Sequence, residues 1–144
     1  MQGTLPLAAD VGLLILRLAT GLVFIPHGWL KLNPQGPLKG PTGFAAWLKQ
    51  MGVPAPRLLA WVVALLETAG AVLLIAGLGT RPIALGLAID MSVAIVLVRM
   101  RVGKASFFGT QAAGWEFEFI LMGAALALLF TGAGSLSLEA LLGF

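Results

Sequence analysis

The chain has 144 residues, of which 59% are hydrophobic and only 10% charged, and its mean hydropathy is +1.00. Soluble domains carry roughly 25% charged residues. There is therefore too little polar surface here to coat a water-soluble globule, and much of the outside must face lipid. Nine Lys and Arg against six acids give a net charge of +3. The cations sit mostly between the apolar runs, where membrane topology needs them, which argues against a nucleic-acid partner. The absence of cysteine excludes disulfides, thiol catalysis and thiolate-ligated clusters. Any redox chemistry then requires a bound cofactor or another subunit.

Residues 1–144 read as a single domain with four apolar runs, at about 11–30, 58–78, 82–98 and 114–132. A spanning helix needs about 20 residues at 1.5 Å rise. The first two runs are long enough, the third is at the short end, and the fourth reaches length only if it starts near Gly114 or runs past Thr131. Strand-like alternation is absent, so a β-barrel is not supported. No Lys or Arg lies between Met1 and Asp10, so the first run is expected to stay as a permanent helix and not as a cleaved leader. The expected fold class is all-α: an integral membrane four-helix bundle with a short interfacial helix in the first loop.

That helix is predicted at Gly43–Met51, capped by Thr42 and ended by Gly52 and Pro54. It places Phe44, Trp47, Leu48 and Met51 on one face and Lys49 and Gln50 on the other, a pattern suited to the membrane interface. Gly79-Thr80-Arg81-Pro82 is predicted to turn the chain between the second and third helices. Lys31, Lys39, Lys49 and Arg57 in the first loop, with Arg99, Arg101 and Lys104 in the third, face Arg81 alone on the opposite side. The positive-inside rule then places these two loops in the cytoplasm and both termini outside, across the cell's inner (plasma) membrane. Trp29, Trp47, Trp61 and Trp115 fall near the cytoplasmic edge, a level that tryptophan prefers.

Ionisable side chains inside such runs cost about 2.5–3.5 kcal/mol each even on lenient scales. Arg17, His27, Glu67 and Asp90 lie within them, and Glu116 and Glu118 sit at the mouth of the fourth. Helical rise puts Arg17 within reach of Glu67, Asp90 or both. A second group forms at the cytoplasmic end from His27, Lys31, Arg99, Glu116 and Glu118. Glu116 shares a face with Ile120, Gly123 and Ala127, small enough for close packing, and is expected to point inward; Glu118 lies about 200° away. A bland reading stands beside this one, in which a buried Arg–acid pair only fixes which helices touch.

No Ser–His–Asp set, phosphate loop or dinucleotide fingerprint occurs, so no catalytic residues are assigned. His27 alone is a poor metal site, and no metal is expected. Arg17, Gly21, Phe24, Gly28 and Lys31 share one face of the first helix, where a groove can form. A flat apolar ligand with polar carbonyl ends would suit it, and a quinone is one candidate. Arg17, His27, Glu67, Asp90 and Glu116 are the residues expected to make the polar core or bind the ligand.

The segments LRLATGLVFIPHGWLKL, GFAAWLKQMGVPAPRLLAWVVALLETAGAVLLIAGLGTRPIALGLAIDMSVAIVLV and GWEFEFILMGAALALLFTGAGSLSLEAL together resemble the DoxX family of small four-helix membrane proteins, in order and over nearly the whole chain. The resemblance rests on Arg17, Gly21, His27-Gly28, Lys31, Gly52-Val53-Pro54, Glu67 with Gly70, Asp90-Met91, Glu116, and Gly132-Ala133-Gly134 before Ser137-Leu138. The family often has a histidine near the end of the third helix, where this chain has Val98-Arg99, so roles that need two histidines are not supported. The resemblance implies a membrane subunit of a quinone-linked oxidoreductase, enzymatic only as part of a complex. A non-enzymatic binding or assembly module is the alternative, and a small oligomeric transporter the second. Expected partners are the lipid bilayer and either another protein of a membrane complex or further copies of the chain. Fold analogy does not choose among these.

Overall fold

Residues 4–110 and 113–144 are described by the computed structural model, and among them every regular element is a helix. In chain order these are α1 (Thr4–Leu32), α2 (Gly40–Gln50), α3 (Pro56–Ala76), α4 (Thr80–Val102), α5 (Glu116–Thr131) and α6 (Leu138–Leu142). Three stretches are long and apolar enough to cross a membrane: Leu7–Leu32, Pro56–Ala76 and Thr80–Val102, of 26, 21 and 23 residues. α5 is shorter, at 16 residues, yet Phe119 to Phe130 contains no polar side chain.

The helix limits differ from expectation for local reasons. α2 begins at Gly40, before Thr42. Lys39 flanks it in the left-handed region with φ 54°, and no side chain caps it. The ring of Pro41 fits the first turn, where no N–H is needed, so the helix starts two residues before the hydroxyl expected to cap it. α4 runs beyond Val98 because neither Gly nor Pro interrupts it before Gly103. Between α3 and α4, Gly77 (φ 70°) and Gly79 (φ 65°) supply left-handed conformations that a Cβ would penalise. The Leu78 N–H reaches back to the Leu73 carbonyl at 2.9 Å, a C-terminal cap that consumes orphan carbonyls. α4 therefore starts at Thr80, inside the expected turn.

Two helices contain wide, π-type turns, at Leu66–Gly70 in α3 and Ala94–Val102 in α4. Hydroxyls assist the distortion: Thr68 Oγ1 donates to the Ala64 carbonyl at 2.6 Å, and Ser92 Oγ to that of Ala88 at 2.8 Å. Back-bonding of this kind bends helices, and π-type turns often occur at functional sites.

The main core joins four helices. Phe24 of α1 packs with Ala71 and Leu74 of α3, Ala84, Leu87, Ala88 and Met91 of α4, and Leu121, Ala125 and Leu128 of α5. Alternating Leu and Ala lets the backbones approach, as lipid-embedded packing requires. Outside it, Leu22, Val72, Ile89, Ile120 and Phe130 face away from the protein and form a surface suited to acyl chains. α2 folds back onto α3 through Phe44, Ala45, Leu48 and Ala60. Phe107, Trp115 and Phe119 meet edge to face, with Phe107 and Trp115 at 4.6 Å, and close the connection between α4 and α5.

Glycines set the approach of α1 to α3. A Cβ on Gly28 would lie 2.6 Å from Thr68 Cγ2 and 2.8 Å from Glu67 Cβ. Gly28→Leu is expected to destabilise the protein by about 1–3 kcal/mol through overpacking, measured by denaturant unfolding in detergent. An unchanged midpoint would mean that α1 and α3 do not touch there.

α6 was not foreseen. Ser137 caps it by accepting the Ala140 N–H at 3.2 Å. The Glu139 N–H donates to the Gly77 carbonyl at 2.9 Å, and its carboxylate accepts the Thr80 N–H at 2.6 Å. The short helix thus lies over the turn between α3 and α4.

Candidate functional site

The polar residues separate into two clusters, at opposite ends of the helices. The first centres on Arg17, which is completely buried. Its guanidinium does not pair with Glu67 or Asp90, as expected from helical rise. Nη1 donates to the Ile75 carbonyl at 3.0 Å and Nη2 to that of Leu136, with the Glu139 carboxylate supplying an opposing charge. The reason is register. α1 and α3 run antiparallel, so Arg17 lies level with the last turn of α3, where carbonyls have no helical partners. Planar guanidinium suits this two-pronged role. Asp10 adds to the same end by accepting the Ser135 N–H at 2.8 Å and the Ser135 hydroxyl. This cluster is a fastening between α1, α3 and the segment after α5.

The second cluster contains the chemistry. Lys31, near the end of α1, reaches inward and forms an ion pair with Glu67, which is 3% exposed. A lysine at a helix end ordinarily snorkels toward water. Here it is held back by Glu67, by the His27 carbonyl at 3.4 Å and by the Phe44 ring, 5.5 Å from Nζ to the centroid. Asp90 of α4 lies beside Glu67 in the same groove, with its Oδ2 buried and without a partner. Arg99 and Glu118 form the second ion pair, with Nε to Oε1 at 2.7 Å.

Apart from Arg99, these groups border a groove of about 490 Å³, within the size range of small-molecule sites. Its walls are mostly apolar: Phe24 from α1, Phe44, Trp47 and Leu48 from α2, Val63 and Leu66 from α3, Met91 and Ala94 from α4, Leu121 from α5. His27, Lys31, Glu67, Asp90 and Glu118 supply the polar positions. Val62, Ile89 and Val93 on α3 and α4 also border it and face outward, so the groove opens sideways between these helices. Both π-type turns contribute to its walls. A larger depression of about 770 Å³ lies between α2 and the start of α3, but it is lined by Lys49, Arg57, Trp61 and small residues, with no acid or histidine.

Of the five expected residues, Glu67 and Asp90 meet in this groove and His27 stands at its edge, half turned outward with its ring 6.1 Å from that of Phe117. Arg17 belongs to the other end. Glu116 is not the inward acid: its Oε1 accepts the Gly109 N–H weakly at 3.4 Å, and the side chain folds against Gly114. Ile120, Gly123 and Ala127 on its face are exposed, whereas Glu118, Leu121, Ala125 and Leu128 are buried. The small residues marked the outside. Lys31 was grouped with His27 in the sequence but not with Glu67, and Glu118 was set aside. A cation at a helix end directly followed by the aromatic-rich first loop was the available signal for Lys31.

Helices of this length and hydropathy, packed around an internal groove that opens between two of them, define a small helical membrane protein. The chain belongs to the DoxX family, whose model, described as DoxX, matches residues 12–100. Among its relatives is CatD of Bacillus subtilis (strain 168), whose name marks it provisionally as an oxidoreductase. It is 32% identical over 130 residues, covering 90% of this chain and 86% of that protein. Inner membrane protein YphA of Escherichia coli (strain K12) is 29% identical over 92% of this chain and 91% of its own length. An uncharacterized membrane protein of Mycobacterium tuberculosis, Rv3486, is 34% identical over 86% of this chain and 77% of its own. No solved structure matches the chain.

Proposed function

We propose that this protein is a membrane subunit of a redox system that holds a quinone-like molecule in the groove between α1, α3 and α4. The observation that carries the reading is the groove itself: long apolar walls, polar groups gathered around Lys31 and Asp90, and a lateral opening between α3 and α4. A lipid-soluble ring with an isoprenoid tail would enter from the bilayer through that opening, place its head against His27, Lys31 and Asp90, and leave its tail along Leu66, Ile89 and Val93. The His27 ring would hydrogen-bond a carbonyl oxygen, with Lys31 and Asp90 bordering the same groove. The quinone would supply the two-electron chemistry. With no cysteine in the chain, electrons would come from a bound cofactor or a partner subunit. The provisional oxidoreductase label of CatD agrees with this assignment.

In the same reading α5 is the fourth span of a bundle. Its 16 residues cover about 24 Å, and the flanking aromatic cluster extends its apolar length. α2 lies in the interface, and the basic loops face the cytoplasm with both termini outside.

Trp47 lines the groove and serves as a built-in reporter. Protein purified from native membranes is expected to yield quinone on solvent extraction. Added decyl-benzoquinone should quench tryptophan fluorescence saturably, less so in Trp47→Phe. His27→Ala is expected to weaken binding about tenfold, the worth of one hydrogen bond. Protein that yields no quinone and shows no saturable quenching would end the reading.

A further inference from the structure

We propose that the groove holds the reduced, hydroxyl-bearing form of its ligand in preference to the oxidised form. The inference rests on the quinone reading and adds the chemistry of the head group. Three acids and two cations meet here: Glu67 with Lys31, Glu118 with Arg99, and Asp90 with no cation of its own. The site therefore carries one acid in excess.

The unmet hydrogen-bonding capacity points the same way. Among the described residues, the groove-lining polar atoms that are buried without a partner are Asp90 Oδ2 and Glu118 Oε2. Glu118 is only 8% exposed. Both atoms are carboxyl oxygens, and buried acceptors without donors are costly. The donors at hand are largely committed, since Lys31 already serves Glu67 and the His27 carbonyl.

A quinone offers only carbonyl oxygens, so against these atoms it sets lone pair against lone pair. A quinol offers two O–H donors on the same flat ring. One hydroxyl can donate to a carboxyl oxygen while the other accepts from His27. Charge-assisted hydrogen bonds of this kind are the strong ones, so the difference between the two forms falls on the head group and not on the tail.

Three ligands of one shape separate the cases: decyl-benzoquinone, the quinol made from it by dithionite, and the quinol dimethyl ether, which has no donor. Their equilibrium binding to detergent-purified protein is the measurement. The quinol is expected to bind about tenfold or more tightly than either of the others, the size of one charge-assisted bond. Because the reduced form is held more tightly, a tenfold preference raises the midpoint potential of the bound couple by about 30 mV. Asp90→Asn, which breaks no ion pair, should narrow the ratio. Equal binding of quinol and quinone, or tighter quinone binding, overturns the preference and leaves the proposed function standing. Tighter binding of decylamine than of the quinol overturns it too, because a cation then answers the excess acid. If neither the quinone, the quinol nor the dimethyl ether binds, the proposed function fails with it.

Discussion

Arg17→Met is expected to be the most damaging single substitution in the chain, lowering stability by about 3–5 kcal/mol. The loss has two parts. The guanidinium's bonds to the Ile75 and Leu136 carbonyls disappear, and both carbonyls remain in a place that Arg17 had sealed. Methionine fills a similar length but donates nothing. Arg17→Lys should recover less than half of the loss, because one ammonium cannot present the fork that meets two separate carbonyls. Unfolding by SDS titration in mixed micelles measures both variants. A methionine variant within about 1 kcal/mol of the parent would mean that water reaches the two carbonyls, and that the arginine is dispensable.

The second large effect concerns Lys31, and it is asymmetric. Lys31→Met leaves Glu67 almost fully buried and facing Asp90 without a cation. Breaking a buried pair from one side costs about 3–5 kcal/mol when an uncompensated charge remains. Glu67→Gln should cost clearly less, because Asp90 is already in place to receive the lysine. Combining the two substitutions should restore part of what Lys31→Met loses, giving a coupling of at least about 1 kcal/mol in a double-mutant cycle. Equal losses from the two single variants, with simple additivity in the double, would show that Asp90 does not act as a reserve partner.

A membrane sequence of this kind discloses some of these features and hides others. Length and hydropathy alone placed α1, α3 and α4, because lipid demands long runs whose backbone bonds are satisfied internally. Arg17, Glu67 and Asp90 were visible as residues because charge is costly in such runs. Their partners were not. Pairing depends on the vertical register of antiparallel helices and on long side chains that can reach up or down by several ångströms. That is why Arg17 met carbonyls and Lys31 met Glu67.

The phase of α5 was hidden for another reason. In water, polarity marks the outer face of a helix. In Phe119–Phe130 both faces are apolar, so the choice between Glu116 and Glu118 rested on a stripe of small residues that turned out to face away from the protein. The groove depends on this phase, on the inward turn of Lys31 and on two π-type turns. None of these has a composition of its own. α6 was legible in principle, since Ser137 followed by Leu138-Glu139 is a capping signal, but the segment is too short to stand out.

The bond from Arg17 to the Leu136 carbonyl joins residues separated by 119 positions, and this has a consequence for biosynthesis. α1 carries an arginine whose partners are made much later. Ile75 arrives with α3, and Leu136 only after the whole of α5. Until then the nascent α1 holds an unsatisfied cation at membrane depth and remains a poor fit for lipid. Stable seating of α1 is therefore expected only once the segment around 135–139 has been made.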